Sequence, residues 1–320
     1  MAGRSQDVVG IIEAAYRVDQ TEARWLETAL DAIRPSLDRG MGCSAFLYDA
    51  SDPAKLRIHT LRGASAPHDE AVTRAIERSS PDRVAWVFRT QACRTASEGP
   101  DWANQPAAKL FRSWGIEDVL FVNGLDASGV GCFFTAKLAT RAPVTRATNA
   151  RWSRIAAHLG AGYRLQRRLA QSSPEAILSP GGKLEHAVGE ATEGSAREAL
   201  RRAVTAVERA RGKLRRTDPT EAVETWRASV SARWSLVDQF ESDGKRYVIA
   251  RRNDVPGRGP EALSARERQA LALAAMGHHN KLVAYEMGIS PSTVRVLLAR
   301  AFKKLGVRSR AEAIARLRGE

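Results

Sequence analysis

Apolar and polar positions alternate with two different periods along residues 1–170. Near the start, apolar positions recur at three- and four-residue steps, which predicts a helix with one buried face. Four later stretches are rich in apolar residues and end at turn residues, which predicts strands. The helix stripe and the strand stretches are Trp25, Leu26, Leu30, Ile33 and Leu37, followed by GCSAFLYDA, KLRIHTLRGA, EDVLFVNGLD and GVGCFFTAKLAT.

Two helices are predicted between the strand pairs, near residues 68–79 and 82–90, and a long helix follows over residues 144–170. This order of helix, two strands, helices, two strands and long helix resembles the GAF/PAS class of small-molecule sensor domains. The long helix carries one apolar stripe of Trp152, Ile155, Leu159 and Tyr163. A dimer bundle and coverage of the chain's own sheet explain the stripes of the first and last helices equally well.

A smaller α+β unit is predicted over residues 175–252. EAILSPGGKLEHA and RWSLVDQFESDGKRYVIARRN are typical of hairpins that turn at glycine-containing stretches. A helix is predicted from Ala196 to Leu214. Asp218 and Pro219 then form a favourable cap and first turn for another helix. Two hairpins around helices resemble a reduced PAS-like fold.

The stretch DVPGRGPEA, residues 254–262, is rich in proline and glycine and is typical of a linker. The sequence therefore predicts a multidomain α+β protein with three folded parts. They are a GAF-like sensor or dimerisation domain (1–170), a small PAS-like α+β domain (175–252) and, after a linker (253–262), an all-α four-helix domain (263–320).

Start and stop signals for four short helices occupy residues 263–318. Ser264 with Glu267, and Ser309 with Glu312, form capping boxes, in which each side chain of the pair satisfies a backbone N–H at the helix start. Ser290 followed by proline opens the third helix. The first three helices end at glycines, which are Gly277, Gly288 and Gly306.

Only a three-to-four-residue turn fits between the second and third of these helices, which is helix-turn-helix geometry. Residues 263–318 resemble the LuxR-type (GerE-type) DNA-binding domain. The resemblance is carried by LSxRER, NK, GISPSTV and KKLGVRSRAEA. It implies that the third helix enters the major groove of DNA, and it says nothing about the rest of the chain.

The resemblance also implies roles for individual residues. The residues expected to contact phosphates are Lys281, Thr293, Arg300 and Lys303. Those expected to face base edges are Ser292, Arg295 and Val296. Side-chain chemistry agrees in part, because an arginine can donate to guanine N7 and O6 and a valine can touch a thymine methyl group.

Two residues depart from the family pattern. His279 stands where a small hydroxyl residue is usual, so a different helix start is expected there. Leu297 stands where a polar residue is common, and it lies off the apolar stripe, which is Val294, Leu298, Ala301 and Leu305. Leu297 therefore either borders the groove or packs on a neighbouring helix. A metal site at His278 and His279 is disfavoured, because no acidic or cysteine ligands accompany them.

The formal net charge of +14 and the pI near 10.3 suit a polyanionic partner, either nucleic acid or an anionic membrane surface. Residues 260–320 hold 11 Lys or Arg against 5 acids, a balance of +6. A solvated helix face is the preferred interpretation of four of these arginines, which are Arg308, Arg310, Arg316 and Arg318.

Other classes of protein are disfavoured. No stretch of about 18 apolar residues exists, and no apolar signal core follows the first basic residue, so a membrane span and export are not expected. Cys43, Cys93 and Cys132 are odd in number and widely spaced, which indicates a reducing cytoplasm. Cys43 and Cys132 lie in predicted apolar strands and are expected to be chemically inert core residues. No cofactor or metal is expected.

The sequence thus predicts a sequence-specific DNA-binding transcriptional regulator of bacterial type whose N-terminal domains respond to a small molecule or a protein partner. Double-stranded DNA, a second copy of the chain and RNA polymerase are the expected macromolecular partners. The alternatives are a sigma-factor-like (region four) promoter-recognition protein and an enzyme with a DNA-binding tail. No nucleotide-binding, zinc-protease or nucleophile-elbow motif is present, so no catalysis is expected.

Two further features of the N-terminal part stay open at the sequence level. Asp49 and Asp126 end predicted strands, where turn aspartates are commoner than phospho-acceptors. An aromatic group either lines an apolar ligand pocket between sheet and helices or packs as core. Its members are Trp86, Phe88, Trp102, Phe111 and Trp114.

Overall fold

The computed structural model describes residues 7–18, 20–63, 66–126, 128–168, 174–226, 234–240, 246–252 and 263–318. The chain divides into two compact units, Met1–Arg167 and Arg168–Glu320. The linker predicted over residues 254–262 and the SDG turn of the second predicted hairpin lie outside the described residues.

The first unit is built on one antiparallel sheet flanked by helices. Its elements are α1 Val8–Ala15, α2 Glu22–Leu37, β1 Cys43–Asp49, β2 Arg57–Arg62, α3 Ala66–Glu77, α4 Pro81–Thr90, β3 Cys93–Thr95, α5 Pro106–Ser113, β4 Asp118–Leu125, β5 Val130–Leu138 and α6 Arg146–Arg168. The strand order in the sheet is β2-β1-β5-β4-β3. The predicted strands and helices of this unit are confirmed, whereas three short elements, α1, β3 and α5, were not predicted.

Helices cover both faces of this sheet. On one face, Phe46, Phe121 and Phe133 pack with α4 in one core cluster. Successive strand residues point to opposite faces, so Cys132 and its partner Gly124 face the other way, toward α6. A Cβ on Gly124 would lie 2.8 Å from the backbone nitrogen of Gly160 in α6, so only glycine permits this approach.

The apolar stripes of α2 and α6 are buried within the first unit itself. Trp25 stacks on Tyr163 with ring centroids 5.5 Å apart, and its indole N–H donates to the backbone oxygen of Ala15 at 2.9 Å. Helix α2 packs on β1, β2 and β5. Of the two interpretations left open by the sequence, coverage of the chain's own sheet therefore accounts for these stripes.

The strand-end aspartates hold turns. Asp49 accepts from the backbone N–H of Ser51 at 2.9 Å. Asp126 accepts from that of Ser128 at 2.8 Å and pairs with Arg164 at 3.1 Å. Burial opposes the charge on Asp126, but the Arg164 guanidinium holds the pKa of this carboxyl below its usual range. These contacts are those of structural turn residues.

The three cysteines are free and buried. Burial raises the pKa of the Cys43 and Cys93 thiols to about 12, and it raises the pKa of Cys132 as well. A thiol that stays protonated is a poor nucleophile and a poor metal ligand. The interpretation of Cys43 and Cys132 as small core residues agrees with this burial.

The second unit begins with a four-stranded antiparallel sheet and three helices. Its elements are β6 Ala176–Leu178, β7 Leu184–Ala187, α7 Gly194–Arg209, α8 Arg215–Thr217, α9 Pro219–Trp226, β8 Trp234–Phe240 and β9 Arg246–Arg252. The strand order is β7-β6-β9-β8, and both predicted strand pairs are confirmed. The single helix predicted over 196–214 is wrong at its end: α7 stops at Arg209, and a π-helical segment follows with non-helical backbone at Gly212 (ψ −133°).

Four short helices complete the second unit, and all four predicted helices are confirmed. Their bounds are α10 Ala265–Ala275, α11 Asn280–Met287, α12 Pro291–Leu305 and α13 Arg310–Arg318. Helix α12 packs against α10 and α11, and α13 packs against α10. Over the described parts of both units, every helix is too short or too polar to cross a membrane.

Glu267 ties two of these helices together. Its carboxylate accepts from the backbone N–H of Ser264 at 2.8 Å, which completes the predicted capping box, and from Lys304 Nζ of α12 at 2.7 Å. The Glu267 side chain is almost fully buried. The Lys304 ammonium and the Ser264 N–H lower the pKa of Glu267 to about 2.

Replacing Glu267 by glutamine should weaken α10 in a pH-dependent way. The depressed pKa means that the charged carboxylate stabilises the fold above its unfolded-state pKa of about 4.3, and that this contribution disappears as the pH falls toward about 2. We expect amide hydrogens of α10 to exchange about fivefold faster in Glu267→Gln at neutral pH, and equally fast in both proteins near the folded-state pKa.

Hydrogen exchange of the full chain, followed by mass spectrometry of peptides from α10, measures this effect. Glu198→Gln, which changes an exposed carboxyl on α7, is the matched control and should leave α10 unaffected. A gap between wild type and Glu267→Gln that stays constant down to the lowest pH would contradict the assigned role of the charge.

Candidate nucleic-acid interface

Helices α11 and α12 are joined by a three-residue turn, Gly288, Ile289 and Ser290. Gly288 adopts the left-handed conformation (φ 63°), which glycine reaches without steric cost. The Ser290 hydroxyl accepts from the backbone N–H of Thr293 at 3.1 Å and thereby caps α12. The predicted turn length and cap are confirmed.

His279 caps α11 with its imidazole in place of a hydroxyl. Its Nδ1 accepts from the backbone N–H of Leu282 at 3.0 Å, so the helix still begins directly after residue 279. The cap at this helix start is thus an imidazole nitrogen in place of a hydroxyl oxygen. The neighbouring His278 places Nδ1 2.7 Å from a carboxylate oxygen of Glu286. In the described part of the chain, no three potential ligands gather to hold a metal ion.

The inward face of α12 is apolar. Val294, Leu298 and Ala301 are no more than 5% exposed, and Leu305 is half-buried, so the predicted stripe is confirmed. Leu297 is also half-buried. At 3.6 residues per turn its Cα lies about 40° from that of Ala301 around the helix axis, at the border of the stripe. Leu297 thus lies between the two positions that the sequence predicted, which are the border of the groove and the contact with a neighbouring helix.

The opposite face of α12 is open to solvent. Ser292, Val296 and Lys303 follow one line along the helix, spaced by four and then seven residues. Arg295 flanks this line on one side, and Arg300 flanks it on the other. All five side chains are exposed, and Val296 is 48% exposed, which is unusual for a large apolar residue.

Ala299 completes this exposed line and was not identified from the sequence. It lies three residues after Val296 and four before Lys303. Helical spacing would have found the position, but a small side chain carries no chemical signal of its own. At the centre of the face, the absence of bulk lets a partner approach the helix backbone closely.

The two remaining predicted site residues, Lys281 and Thr293, have different surroundings from each other. Lys281 is exposed in the first turn of α11. Thr293 is exposed, and its Oγ1 is within hydrogen-bond distance of Ser290 Oγ at 2.8 Å. The Thr293 hydroxyl is therefore part of the cap network at the start of α12.

Two basic residues near this face have structural roles. Lys304 pairs with the buried carboxylate of Glu267 at 2.7 Å. Arg310 donates to the backbone oxygens of Ala274 at 2.6 Å and His278 at 2.7 Å, at the end of α10. The interpretation of Arg310 as part of a solvated face is wrong, because its guanidinium is held by these two backbone carbonyl groups.

Comparisons with known proteins concern this part of the chain. Residues 261–317 match the family model described as bacterial regulatory proteins, luxR family (GerE). The HTH-type transcriptional activator RamA of Corynebacterium glutamicum is 48% identical over 52 residues, which are 16% of this chain and 18% of that protein. The chain therefore aligns with less than a fifth of the length of this relative.

The four capped helices, the three-residue turn and the exposed face of α12 agree with the sequence match. Residues 261–317 are therefore a helix-turn-helix domain of the LuxR (GerE) family.

Proposed function

We propose that the protein is a sequence-specific transcriptional regulator of bacterial type that inserts α12 into the major groove of DNA. The observation that carries this proposal is the exposed line on α12, held outward by the buried stripe of a LuxR-family domain. The family match favours this function over a sigma-factor-like protein. The groove admits one helix, and the N-terminal residues of a recognition helix contact base edges there.

Within this proposal, Ser292, Arg295 and Val296 face base edges, because they lie in the first two turns of α12 and are exposed. Positive charge at the ends of the face neutralises phosphates and fixes the register on the duplex. The residues assigned to phosphates are Lys281, Thr293, Arg300 and Lys303.

The N-terminal unit and the sheet of the second unit act in the proposal as GAF-like and PAS-like sensory parts. A contact inside the second unit supports a link between sensing and DNA binding: the Tyr285 hydroxyl of α11 donates to the backbone oxygen of Val223 in α9 at 2.9 Å. Ligand or partner binding would then change how two helix-turn-helix domains of a homodimer present to DNA. RNA polymerase as a further partner and a cytoplasmic location belong to the same proposal.

Two neighbouring lysines give a matched test of the phosphate contacts. Lys303 faces outward, whereas Lys304 pairs with Glu267. Sites selected by the full chain from a random DNA pool are used to measure affinity at several salt concentrations. Each lost phosphate contact lowers the slope of log affinity against log salt by about 0.9. We expect this loss in Lys303→Met and an unchanged slope in Lys304→Met. Equal slopes in the two variants, or no DNA binding by wild type at low salt, would overturn the assignment.

Arg295 should determine sequence preference. An arginine that contacts guanine discriminates against the wrong base by about 1–3 kcal/mol. We expect Arg295→Ala to lose preference at one position of the selected site while retaining affinity for unrelated DNA. Arg300→Ala, its counterpart on the other flank, should instead weaken binding to all sequences. Competition binding with single-base variants of the site distinguishes the two, and an Arg295→Ala protein with full preference would remove Arg295 from base recognition.

A homodimer on DNA should select two-fold-related half-sites. Two recognition helices that reach the same face of the duplex require half-sites about 10–10.5 base pairs apart, or a multiple of that spacing. Adding about five base pairs between the half-sites rotates one half-site to the opposite face and should reduce affinity to that of one half-site. Sites without internal symmetry, bound by one chain as measured by sedimentation, would contradict the dimer.

A further inference from the structure

A groove lies between the turn of the β6–β7 hairpin and one side of helix α7 in the second unit. This α7 groove has a volume of about 650 Å³ and is largely open to solvent. A Cβ on Gly182 would lie 3.6 Å from the backbone oxygen of Arg201, so the hairpin turn approaches α7 closely. The α7 residues of the wall recur at helical spacing and form one face of the helix. They are Glu198, Arg201, Arg202, Thr205, Ala206 and Arg209.

Positive charge dominates the wall of the α7 groove. The wall holds four basic side chains and one acidic side chain, Glu198, which gives a balance of +3. All four basic side chains are exposed, so water and ions reach them. They are Lys183, Arg201, Arg202 and Arg209. A concave surface lined by one sign of charge concentrates ligands of the opposite sign.

The four cations differ in their partners. Lys183 and Arg209 each pair with a neighbouring glutamate, at 3.1 Å and 3.3 Å. Over the described ranges, no carboxylate lies within ion-pair distance of Arg201 or Arg202, although Glu198 is only one turn away on the same helix. Two adjacent guanidinium groups without a counter-charge from the protein are available to an external anion.

The length of this helix face fits an anion that carries several charges in a row. Arg201 and Arg209 are eight residues apart, which is about 12 Å along the helix axis. One strand of duplex DNA carries a phosphate at about every 3.4 Å of its axis, so several phosphates fall within that length. Between the two arginines the face carries the small residues Thr205 and Ala206, which leave room for a chain of phosphates.

The chemistry of the wall favours a phosphate backbone over free bases. Among the described residues that line the α7 groove, no aromatic side chain offers a surface on which a base could stack. Proteins that hold single-stranded nucleic acid combine a basic groove with such aromatic side chains. A duplex, whose bases stack on each other and whose phosphates face outward, needs only the cations.

Helix α9 connects the α7 groove with the helix-turn-helix domain. Thr225 of α9 lines the groove, and two residues earlier the backbone oxygen of Val223 accepts from the Tyr285 hydroxyl of α11 at 2.9 Å. Tyr285 follows Lys281 by four residues, so both lie on the same side of α11. The side of α11 that carries Lys281, which the proposed function assigns to a phosphate, is thus the side that α9 contacts.

We propose that the α7 groove binds the phosphate backbone of the duplex DNA that flanks the site contacted by α12. Arg201 and Arg202 donate charge-assisted hydrogen bonds to phosphate oxygens, and Lys183 and Arg209 add positive charge beside them. Phosphates carry no sequence information, so this contact adds affinity without adding sequence preference. The inference rests on the proposed function, because the flanking DNA is the DNA that α12 holds.

Two double variants of equal charge test the α7 groove. Arg201→Met with Arg202→Met removes two charges from the groove, whereas Arg197→Met with Arg216→Met removes two exposed charges outside it. Affinity of the full chain for a selected site within a long duplex is measured by fluorescence anisotropy at several salt concentrations. We expect the slope of log affinity against log salt to become shallower by about 1.8 in the groove variant, since each phosphate contact contributes about 0.9. The control variant should keep the wild-type slope, and equal slopes in the two variants would overturn the inference.

Duplex length separates the groove contact from the contacts of α12. The selected site is used alone and with flanks of about 10 base pairs, one helical turn, on each side. We expect wild type to bind the flanked duplex more tightly and with a steeper salt dependence, whatever the sequence of the flanks. The groove variant should gain much less from the flanks. An equal gain in both proteins, or no gain in wild type, would contradict contact with flanking DNA.

A charge-preserving variant distinguishes loss of charge from structural damage. Arg201→Lys with Arg202→Lys keeps both charges and should retain the wild-type slope, and a shallower slope would refute the role of charge. If the methionine variant does not fold by circular dichroism, Arg201→Gln with Arg202→Gln takes its place. DNA binding by wild type with slopes that the groove charges do not affect would overturn this inference alone. No DNA binding by wild type at low salt would overturn the proposed function and the inference with it.

Discussion

The burial of one stripe of α12 determines the direction of everything that this helix presents to solvent. Val294, Leu298 and Ala301 can pack against α10 and α11 in only one rotational setting of the helix. Ser290 and Gly306 fix where the helix begins and ends, so the setting cannot shift along the axis. Because side chains repeat every 3.6 residues, the exposed face follows from the buried one. A change in the core would therefore misdirect the exposed face without touching it.

The sequence could predict those elements whose ends are marked by residues close by in the chain. The C-terminal helices were predicted because capping hydroxyls, glycines and the proline at residue 291 act within a few residues of the helix ends. Short elements were missed because their signals are weak: α1, VVGIIEAA, is apolar on nearly all sides, and β3 has three residues. The break after Arg209 depends on the conformation of Gly212, and a single glycine does not specify one.

The residues of the candidate interface also fall into two groups, those that local sequence patterns reveal and those that only the folded structure reveals. Exposed positions on α12 follow from helical spacing, so the exposure of Arg295 and Val296 could be predicted, whereas their role in base recognition stays a prediction. The roles of Lys304 and Arg310 were not found, because Glu267 and Ala274 lie 37 and 36 residues away and only folding brings them close. A charged residue in a sequence reveals its burial only through distant partners.

The two faces of the first unit's sheet differ in how much they can be compressed. Toward α6 the packing reaches backbone against backbone, since a Cβ on Gly160 would lie 2.6 Å from the backbone oxygen of Leu125. Toward α4 and α5 a cavity remains. Close-packed atoms resist displacement, whereas free volume allows it. The α6 side is thus the mechanically stiff wall of the unit, and any deformation of this unit would be taken up by the opposite wall.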